Sequence, residues 1–456
     1  MKSGGEILLI ACYELGHQPL AVAWPAAFLE RGGYRPAVMD LSVEPLDEDK
    51  VRAARVILIS VPMHTALRLG TEVLARARAL NPSAHIGLYG LYAALNAEYL
   101  RAHGADSVVG GESEGALVEL VAGLDEHAVS AGVAATPIRR ERLRFPVPSR
   151  HALPALAKYA QLERDGGRHL VGYVEASRGC RHRCRHCPIP PVYDGRFFVV
   201  DRAVVQADIR QAVAAGATHV TFGDPDFLNG PRHALAVARA LHAEFPHVTF
   251  DFTAKVEHLL RRRADLPELA ALGGLFVVSA VESLSNRVLA ALDKGHTRAD
   301  VIEALGVVRA AGMVLRPTWV AFTPWTTLDD YREMLDFIAR EDLVDAVDPV
   351  QLGIRLLVPP GSLLIETDAM RPHLGDLVPG DFYYRWTHPD PRMDRLGEEV
   401  AAAVAAAARN DEDAWVTFDR VRRLADAAAG ASGRPAAALP PADRRRPPRL
   451  TEPWFC

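Results

Sequence analysis

Cysteine is scarce in this sequence, with five residues among 456. So few thiols exclude a fold that depends on a disulfide framework. Three of the five nevertheless stand close together, in the run Arg-Gly-Cys-Arg-His-Arg-Cys-Arg-His-Cys-Pro that contains Cys180, Cys184 and Cys187. Three neighbouring thiols cannot pair off with one another, so this cluster indicates a metal centre.

Long apolar runs and an excess of positive charge are also absent. No stretch approaches the roughly 20 apolar residues of a membrane-spanning helix, and the sequence after Met1 lacks the pattern of a signal peptide. The net charge is −5, and the dispersed Lys and Arg residues offer no basic face for nucleic acid. We therefore predict a cytoplasmic protein of two or three domains, with no membrane and no nucleic-acid partner.

The first part of the chain has the alternating pattern of an α/β fold. Short apolar segments alternate with helical patterns such as residues 20–31 and 66–80. This predicts a doubly wound, Rossmann-like parallel sheet over residues 1–125. Its strands are expected at residues 7–12, 36–41, 56–61, 85–89 and 107–110. The carboxyl ends of such strands line a crevice where ligands bind.

The periodicity fades over residues 126–165, where several prolines predict a linker. A second series of strand and helix patterns fills residues 166–365, with strands expected at 169–174, 219–223, 249–254, 275–281, 315–322 and 349–357. Six such units predict a partial (β/α)6 barrel of TIM type, with its chemistry at the carboxyl ends of the strands. Residues 366–456 are predicted to be a helical extension with a disordered tail, because a segment rich in Pro, Ala and Arg occupies 432–448.

The clustered cysteines directly follow the first strand of this second series. Thiolates in the spacing Cys-x3-Cys-x2-Cys converge from a loop on one soft metal centre, and three ligands leave one coordination position open. An open position is typical of a reacting centre and favours one iron of a [4Fe–4S] cluster. The alternative is a zinc site with His182 or His186 as fourth ligand, in a binding or regulatory protein on an α/β scaffold.

This spacing resembles that of the radical S-adenosylmethionine (SAM) superfamily. The resemblance implies that Cys180, Cys184 and Cys187 hold a [4Fe–4S] cluster, whose fourth iron binds the methionine moiety of SAM. It also implies reductive cleavage of SAM to a 5′-deoxyadenosyl radical that abstracts hydrogen from a small-molecule substrate. A partner such as flavodoxin or ferredoxin would supply the electron. His186 stands before the third cysteine, where the family usually has an aromatic residue near the adenine.

Two further strand ends resemble cofactor-binding turns of the same family. Gly223, Asp224 and Asp226 follow the second strand, where the family often has a Gly-Gly-Glu-like turn that binds the methionine amino group. Glu282 and Ser283 follow the fourth strand, where a Glu-Ser pair lies beside the cofactor. A carboxylate suits an ammonium group, and a buried one calls for a ligand or a cationic neighbour. For residues 223–226 the alternative is a turn that merely ends the strand.

The N-terminal half resembles the cobalamin-binding domain that precedes the catalytic domain in many radical SAM enzymes. The run Val-Val-Gly-Gly-Glu-Ser-Glu-Gly-Ala-Leu at residues 108–117 is similar to the last strand and turn of that domain. The chain lacks the Asp-x-His-x-x-Gly pattern that supplies an axial histidine elsewhere, and His17 is the candidate nearest the crevice. The resemblance implies cobalamin as a further cofactor, with methyl transfer as the leading reaction. A domain that binds no corrin is the alternative.

The sequence ends on Leu-Thr-Glu-Pro-Trp-Phe-Cys, with Cys456 last. This ending resembles the start of the tail in the radical SAM family named for a Cys-Sec-Ala-Glu-Pro or Cys-Cys-Ala-Glu-Pro terminus (CUAEP/CCAEP). The resemblance implies a selenoprotein in which the selenocysteine codon after Cys456 has been read as a stop. An ordinary terminal cysteine is the alternative.

Overall fold

The computed structural model describes residues 4–126, 138–431, 444 and 446–452. Cys456, most of the segment 432–448 and the start of the expected linker lie outside these ranges. Among the helices that are described, none is both long enough and apolar enough to cross a bilayer.

The N-terminal body contains five strands and six helices. The strands are β1 (Ile7–Ala11), β2 (Ala37–Asp40), β3 (Val56–Ser60), β4 (His85–Tyr89) and β5 (Ser107–Val109). The helices are α1 (Leu20–Arg31), α2 (Glu48–Ala53), α3 (His64–Leu80), α4 (Leu91–Leu95), α5 (Ala97–Ala102) and α6 (Glu114–Glu126). All strands run parallel in the order β2-β1-β3-β4-β5.

Successive residues of β1 show why this sheet is covered on both faces. Leu8 and Ile10 enter one apolar core, whereas Ile7 and Leu9 enter the other. Side chains alternate between the faces of a strand, so an unbroken apolar strand requires a layer of helices on each side. The predicted doubly wound, Rossmann-like sheet is therefore confirmed.

The second body contains the longer series of strands and helices. The strands are β6 (Gln161–Arg164), β7 (Gly167–Val174), β8 (Ser177–Gly179), β9 (Phe197–Val199), β10 (His219–Phe222), β11 (Thr249–Thr253), β12 (Gly274–Glu282) and β13 (Val314–Trp319). The helices are α7 (Ile189–Tyr193), α8 (Arg202–Ala214), α9 (Pro231–Glu244), α10 (Val256–Arg261), α11 (Leu266–Ala271), α12 (Asn286–Leu292), α13 (Arg298–Ala310) and α14 (Leu328–Arg340). The C-terminal part adds β14 (Leu374–Val378), β15 (Tyr383–Trp386), α15 (Pro391–Arg409), α16 (Ala414–Ala428) and β16 (Arg449–Leu450).

The strands of the second body form a curled sheet in the order β13-β12-β11-β10-β7-β6-β16. Five strands of this sheet, β7, β10, β11, β12 and β13, are parallel to one another. Helices connect them in the alternating βα order that the sequence predicts. This arrangement confirms the predicted partial barrel. Aromatic side chains such as Phe222, Phe250 and Phe252 form its main core.

The prediction of a sixth barrel strand at residues 349–357 is wrong. Pro349–Leu352 is a short 3-10 helix, and a single bridge between Phe322 and Arg355 is all that remains of the strand pairing. Proline lacks the N–H that strand pairing requires, and it favours the first turn of a helix. These two properties explain why the segment forms a helical turn at Pro349.

The disordered segment predicted at residues 432–448 lies mostly outside the described residues, and Arg449–Leu450, directly after it, form the short strand β16. β16 pairs antiparallel with β6, a strand that lies within the expected linker. Arg449 lies 2.8 Å from Glu163 of β6, and on the other side Arg316 of β13 donates to the carbonyl of Pro448 at 3.4 Å. An edge strand presents unpaired backbone groups, and here the tail satisfies them. The C-terminal strand thus extends the sheet beyond β6, and Arg316 connects the residue before it to β13.

Candidate active site

The three clustered cysteines lie on the loop that follows β7, at the carboxyl end of the barrel strands. The antiparallel pair β8–β9 closes the base of this loop. Gly179 precedes the first cysteine with a φ of +73°, and a Cβ there would lie 2.4 Å from the carbonyl oxygen of Arg196. Glycine is therefore required at this turn. Cys180 and Cys184 are buried, Cys187 is partly buried, and all three are free thiols.

The spacing of the thiols argues against a single metal ion. Tetrahedral zinc with Zn–S bonds of about 2.3 Å brings its sulfurs to about 3.8 Å from one another. Within the described residues, the one set of three potential ligand atoms that lie within 4.8 Å of each other is His182, Asp226 and His258, and no such set contains a cysteine. Burial raises the pKa of the Cys187 thiol to about 12, so a thiolate there needs nearby positive charge. The three thiols are too far apart for one zinc ion, and a buried thiolate needs the positive charge of a metal. Both properties suit a cluster of several irons.

The end of β10 anchors the start of the cysteine loop. Asp224 is buried and accepts hydrogen bonds from the backbone N–H of Ala176, at 2.9 Å, and from the hydroxyl of Ser177. Burial raises the pKa of Asp224 to about 7. A Cβ on Gly223 would lie 2.2 Å from Cζ of Tyr173, so this glycine makes room for the ring. Asp224 is engaged by the loop and does not point freely at a ligand.

Asp226 connects the same strand end to the cysteine loop by another route. One of its oxygens accepts the N–H of Leu228 at 3.0 Å, and the other lies 2.7 Å from Nδ1 of His258. Nε2 of His182 lies 3.8 Å from that second oxygen and is buried without a hydrogen-bond partner. The predicted residue Asp226 is thus fully buried beside the loop, in a network that the sequence did not reveal.

The end of β12 supplies a second buried carboxylate. Oε1 of Glu282 lies 3.1 Å from Nζ of Lys294 and 3.1 Å from Nε2 of His186, which precedes Cys187. Burial alone would raise the pKa of Glu282, but Lys294 and His186 hold it well below its usual range. Ser283 is also buried, and its hydroxyl accepts the N–H of Ser285 at 3.1 Å. The structure therefore brings His186, Glu282 and Ser283 to one side of the cysteine loop.

Sequence reasoning missed three contributors to this site. Lys294 follows α12 and His258 lies on α10, and neither belongs to a recognisable sequence motif. Asn229 donates to the sulfur of Cys180 at 3.5 Å, and no motif distinguishes it from other asparagines. Arg316, a basic residue of β13, pairs with Asp348 at 3.1 Å and so is satisfied within the protein.

The crevice of the N-terminal sheet faces the second body. Tyr193, after the cysteine loop, donates to Glu112 of the N-terminal body at 2.8 Å, and Arg178 pairs with Glu114. A cleft of about 420 Å³ lies at the carboxyl ends of β1 and β2. Residues that line it are Cys12, Tyr13, Gly16, Leu41, Ser42, Val43, Leu69, Lys158, Tyr159, Ala160 and Thr451. Its volume falls within the roughly 300–1,000 Å³ that is usual for small-molecule sites.

His17 does not lie free in this crevice. Its Nε2 is 2.7 Å from Oε1 of Glu452, and its ring stacks on Tyr173 with centroids 4.5 Å apart. The same three residues line a separate cavity of about 230 Å³ inside the barrel, together with polar groups such as Thr221 and Asp251. The arrangement gives His17 a partner within the protein, and it does not support the cobalt-ligand role.

Two family profiles match this chain. The profile of the radical SAM superfamily matches residues 174–338, and that of the B12 binding domain matches residues 7–121. This chain contains a radical SAM domain and a B12-binding domain. The matches confirm the predicted cofactor set of a [4Fe–4S] cluster, SAM and cobalamin, and they do not support the zinc alternative. The CUAEP/CCAEP tail stays a prediction, since Cys456 lies outside the described residues.

The curated relatives resemble this chain over part of their own length. 4′-Phospho-dehydrooxetanocin synthase of Priestia megaterium is 28% identical over 206 residues, which is 40% of this chain and 27% of that protein. Ribosomal protein uS12 methylthiotransferase RimO of Thermus thermophilus is 27% identical over 199 residues, which is 39% of this chain and 46% of that protein. The chain thus matches less than half the length of these relatives.

Solved structures share the fold over most of the chain. The cobalamin-dependent SAM radical enzyme OxsB, with aqua-cobalamin and SAM bound, has a TM-score of 0.69 at 16% identity, covering 89% of this chain and 67% of that one. The radical SAM methyltransferase TsrM of Kitasatospora setae, with tryptophan and a SAM analogue bound, has a TM-score of 0.66 at 17% identity, covering 88% and 89%. At such low identity the likeness shows a common fold.

Proposed function

We propose that this protein is a cobalamin-dependent radical SAM enzyme that modifies a small-molecule substrate, with methyl transfer as the leading reaction. The observation that carries the proposal is that the loop after β7 holds three thiols and, through His186, contacts the buried carboxylate at the end of β12, in a chain whose residues 7–121 match a B12-binding domain. When bound, the cofactors supply reductive cleavage of SAM and a carrier for the methyl group.

In this proposal Cys180, Cys184 and Cys187 bind three irons of the cluster, and the protein holds the loop that carries them. Asp224 fixes the backbone where the loop begins, through Ala176 and Ser177. The backbone N–H of Arg185 donates to the carbonyl of Leu292 at 2.9 Å and fixes the loop near its end. These bonds pre-organise the loop, so that less ordering is needed when the cluster binds.

SAM is proposed to lie against the strand ends on either side of the loop. His186, Glu282 and Ser283 form one side, and residues 223–226 form the other. Both carboxylates of this strand end already have partners in the protein, Asp224 in Ala176 and Ser177 and Asp226 in Leu228 and His258, so the methionine ammonium would have to share one of them. The substrate is proposed to enter the cavity inside the barrel, which combines apolar and polar side chains and whose small volume favours a small or partly inserted molecule.

Cobalamin is proposed to bind at the carboxyl ends of β1 and β2, where the cleft combines small residues such as Cys12, Gly16 and Ser42 with apolar ones such as Leu41. The B12-binding match over residues 7–121 supports this placement. A one-electron reductant of the flavodoxin or ferredoxin class completes the set of partners.

The test is anaerobic purification and reconstitution with iron and sulfide, followed by incubation with SAM, a reductant and hydroxocobalamin. A brown protein whose reduced EPR signal changes when SAM is added, and which releases 5′-deoxyadenosine, supports the radical SAM activity. Co-elution of corrinoid supports the cobalamin role. A colourless protein that retains stoichiometric zinc after the same treatment would overturn the proposal.

A further inference from the structure

Lys294 is a buried cation that no part of the proposed chemistry uses. It follows α12, after Asp293 with a φ of +55°, and its side chain is 3% exposed. Its Nζ lies 3.1 Å from Oε1 of Glu282. A buried ion pair adds little to stability compared with apolar side chains of the same size, so its presence beside a site calls for another explanation.

The segment around Lys294 is tied to the cysteine loop at two points. The N–H of Arg185 donates to the carbonyl of Leu292 at 2.9 Å, and Nε2 of His186 lies 3.1 Å from the carboxylate oxygen that also meets Lys294. Burial would lower the pKa of Lys294, but Glu282, Cys184 and Cys187 together raise it. The ammonium group is thus electrostatically coupled to two of the three thiols.

Glu282 reaches this position through an unusual backbone conformation. Its φ is +64°, in the left-handed region that residues other than glycine rarely adopt. Such a conformation costs on the order of 1–3 kcal/mol and persists where surrounding structure enforces it, which is common at functional sites. The strained turn places a negative charge against Lys294 and against His186, the residue before Cys187.

We infer that Lys294 and Glu282 set the reduction potential of the cluster with opposite signs, an inference that rests on the proposed function. One electron from the external reductant enters the cluster and makes it more negative by one charge, and no bond or proton moves. The ammonium of Lys294 stabilises the reduced form, whereas the carboxylate of Glu282 opposes it. Inside a buried site such charges act strongly, because solvent screens them little.

The experiment is a potentiometric titration of the reconstituted protein without SAM, followed by EPR. Lys294→Met is expected to shift the midpoint to a more negative potential, so that the ratio of reduced to oxidised cluster at a fixed potential falls about tenfold or more. Glu282→Gln is expected to shift the midpoint in the opposite direction. The double variant is expected to lie near the wild type. Lys50→Met, on the exposed helix α2, serves as the matched control and should leave the potential unchanged.

Opposite shifts in the two single variants, with iron and sulfide contents equal to wild type, support the inference. Shifts of the same sign, or none, overturn it, since a residue that merely holds the loop would change cluster content rather than potential. If Lys294→Met does not retain iron, Glu282→Gln decides alone, and a midpoint that is unchanged or more negative rejects the inference. A wild-type chain that forms no cluster rejects the proposed function instead.

Discussion

The carboxylate of Glu452 lies 2.7 Å from Nε2 of His17, although the two residues are 435 positions apart in the sequence. His17 belongs to the loop after the first strand of the N-terminal sheet, and Glu452 follows β16, the edge strand that pairs with β6. The contact therefore ties the C-terminal tail to the N-terminal body across the domain interface.

Replacing Glu452 with alanine is expected to lower the free energy of unfolding by about 1–3 kcal/mol, because a buried histidine loses its hydrogen-bond partner. Thermal unfolding followed by circular dichroism measures the effect. Glu399→Ala is the control, since that glutamate is exposed on α15. Equal melting temperatures for the Glu452 variant and wild type would contradict the role of this contact.

Gly223→Ala and Gly306→Ala should change stability in opposite directions. A Cβ on Gly223 would lie 2.2 Å from the ring of Tyr173, and such overpacking costs about 1–3 kcal/mol or more. Gly306 lies in helix α13 with nothing within 4 Å of an added Cβ, so alanine there should stabilise the protein by about 0.5–1 kcal/mol. Urea unfolding of the two variants measures both signs. A neutral Gly223→Ala would show that Tyr173 moves freely.

Asp224 is expected to make stability depend on pH. Burial raises its pKa from 3.8 to about 7, so between these values the folded state holds a proton that the unfolded state has lost. Its contribution to stability is therefore fully present below about pH 4 and declines as the pH rises to about 7. Asp224→Asn should flatten this part of the pH profile, which urea midpoints at several pH values would reveal. The exposed Asp376→Asn is the control, and an unchanged profile for Asp224→Asn would refute the assignment.

The cysteines of the loop and the cysteine of the N-terminal sheet should respond differently to substitution. Cys184→Ala removes a proposed iron ligand, so iron and sulfide per chain should fall to background after reconstitution. Cys12→Ala should retain both, because Cys12 is buried at the end of β1 and lies in the other body. Retention of a full cluster by Cys184→Ala would remove that residue from the ligand set.

The local patterns of the sequence predicted much of this fold, because they report what each segment buries. The apolar run of β1 requires cover on both faces, and Gly179 before Cys180 satisfies a turn that other residues cannot adopt. The same reasoning failed for residues 349–357, where Pro349 starts a 3-10 helix, and it did not find β16, whose two residues are too few to leave a periodic signal.

The sequence by itself determined the order of the two domains, the cysteine spacing and the strand ends at which polar residues gather, since these depend on neighbours along the chain. The tertiary structure alone decided that Asp224 holds the loop, that Lys294 and His186 share the carboxylate of Glu282, and that Glu452 meets His17. These contacts join residues from distant segments, and their partners are selected by the curvature of the sheet and the docking of the two bodies, which no local pattern records.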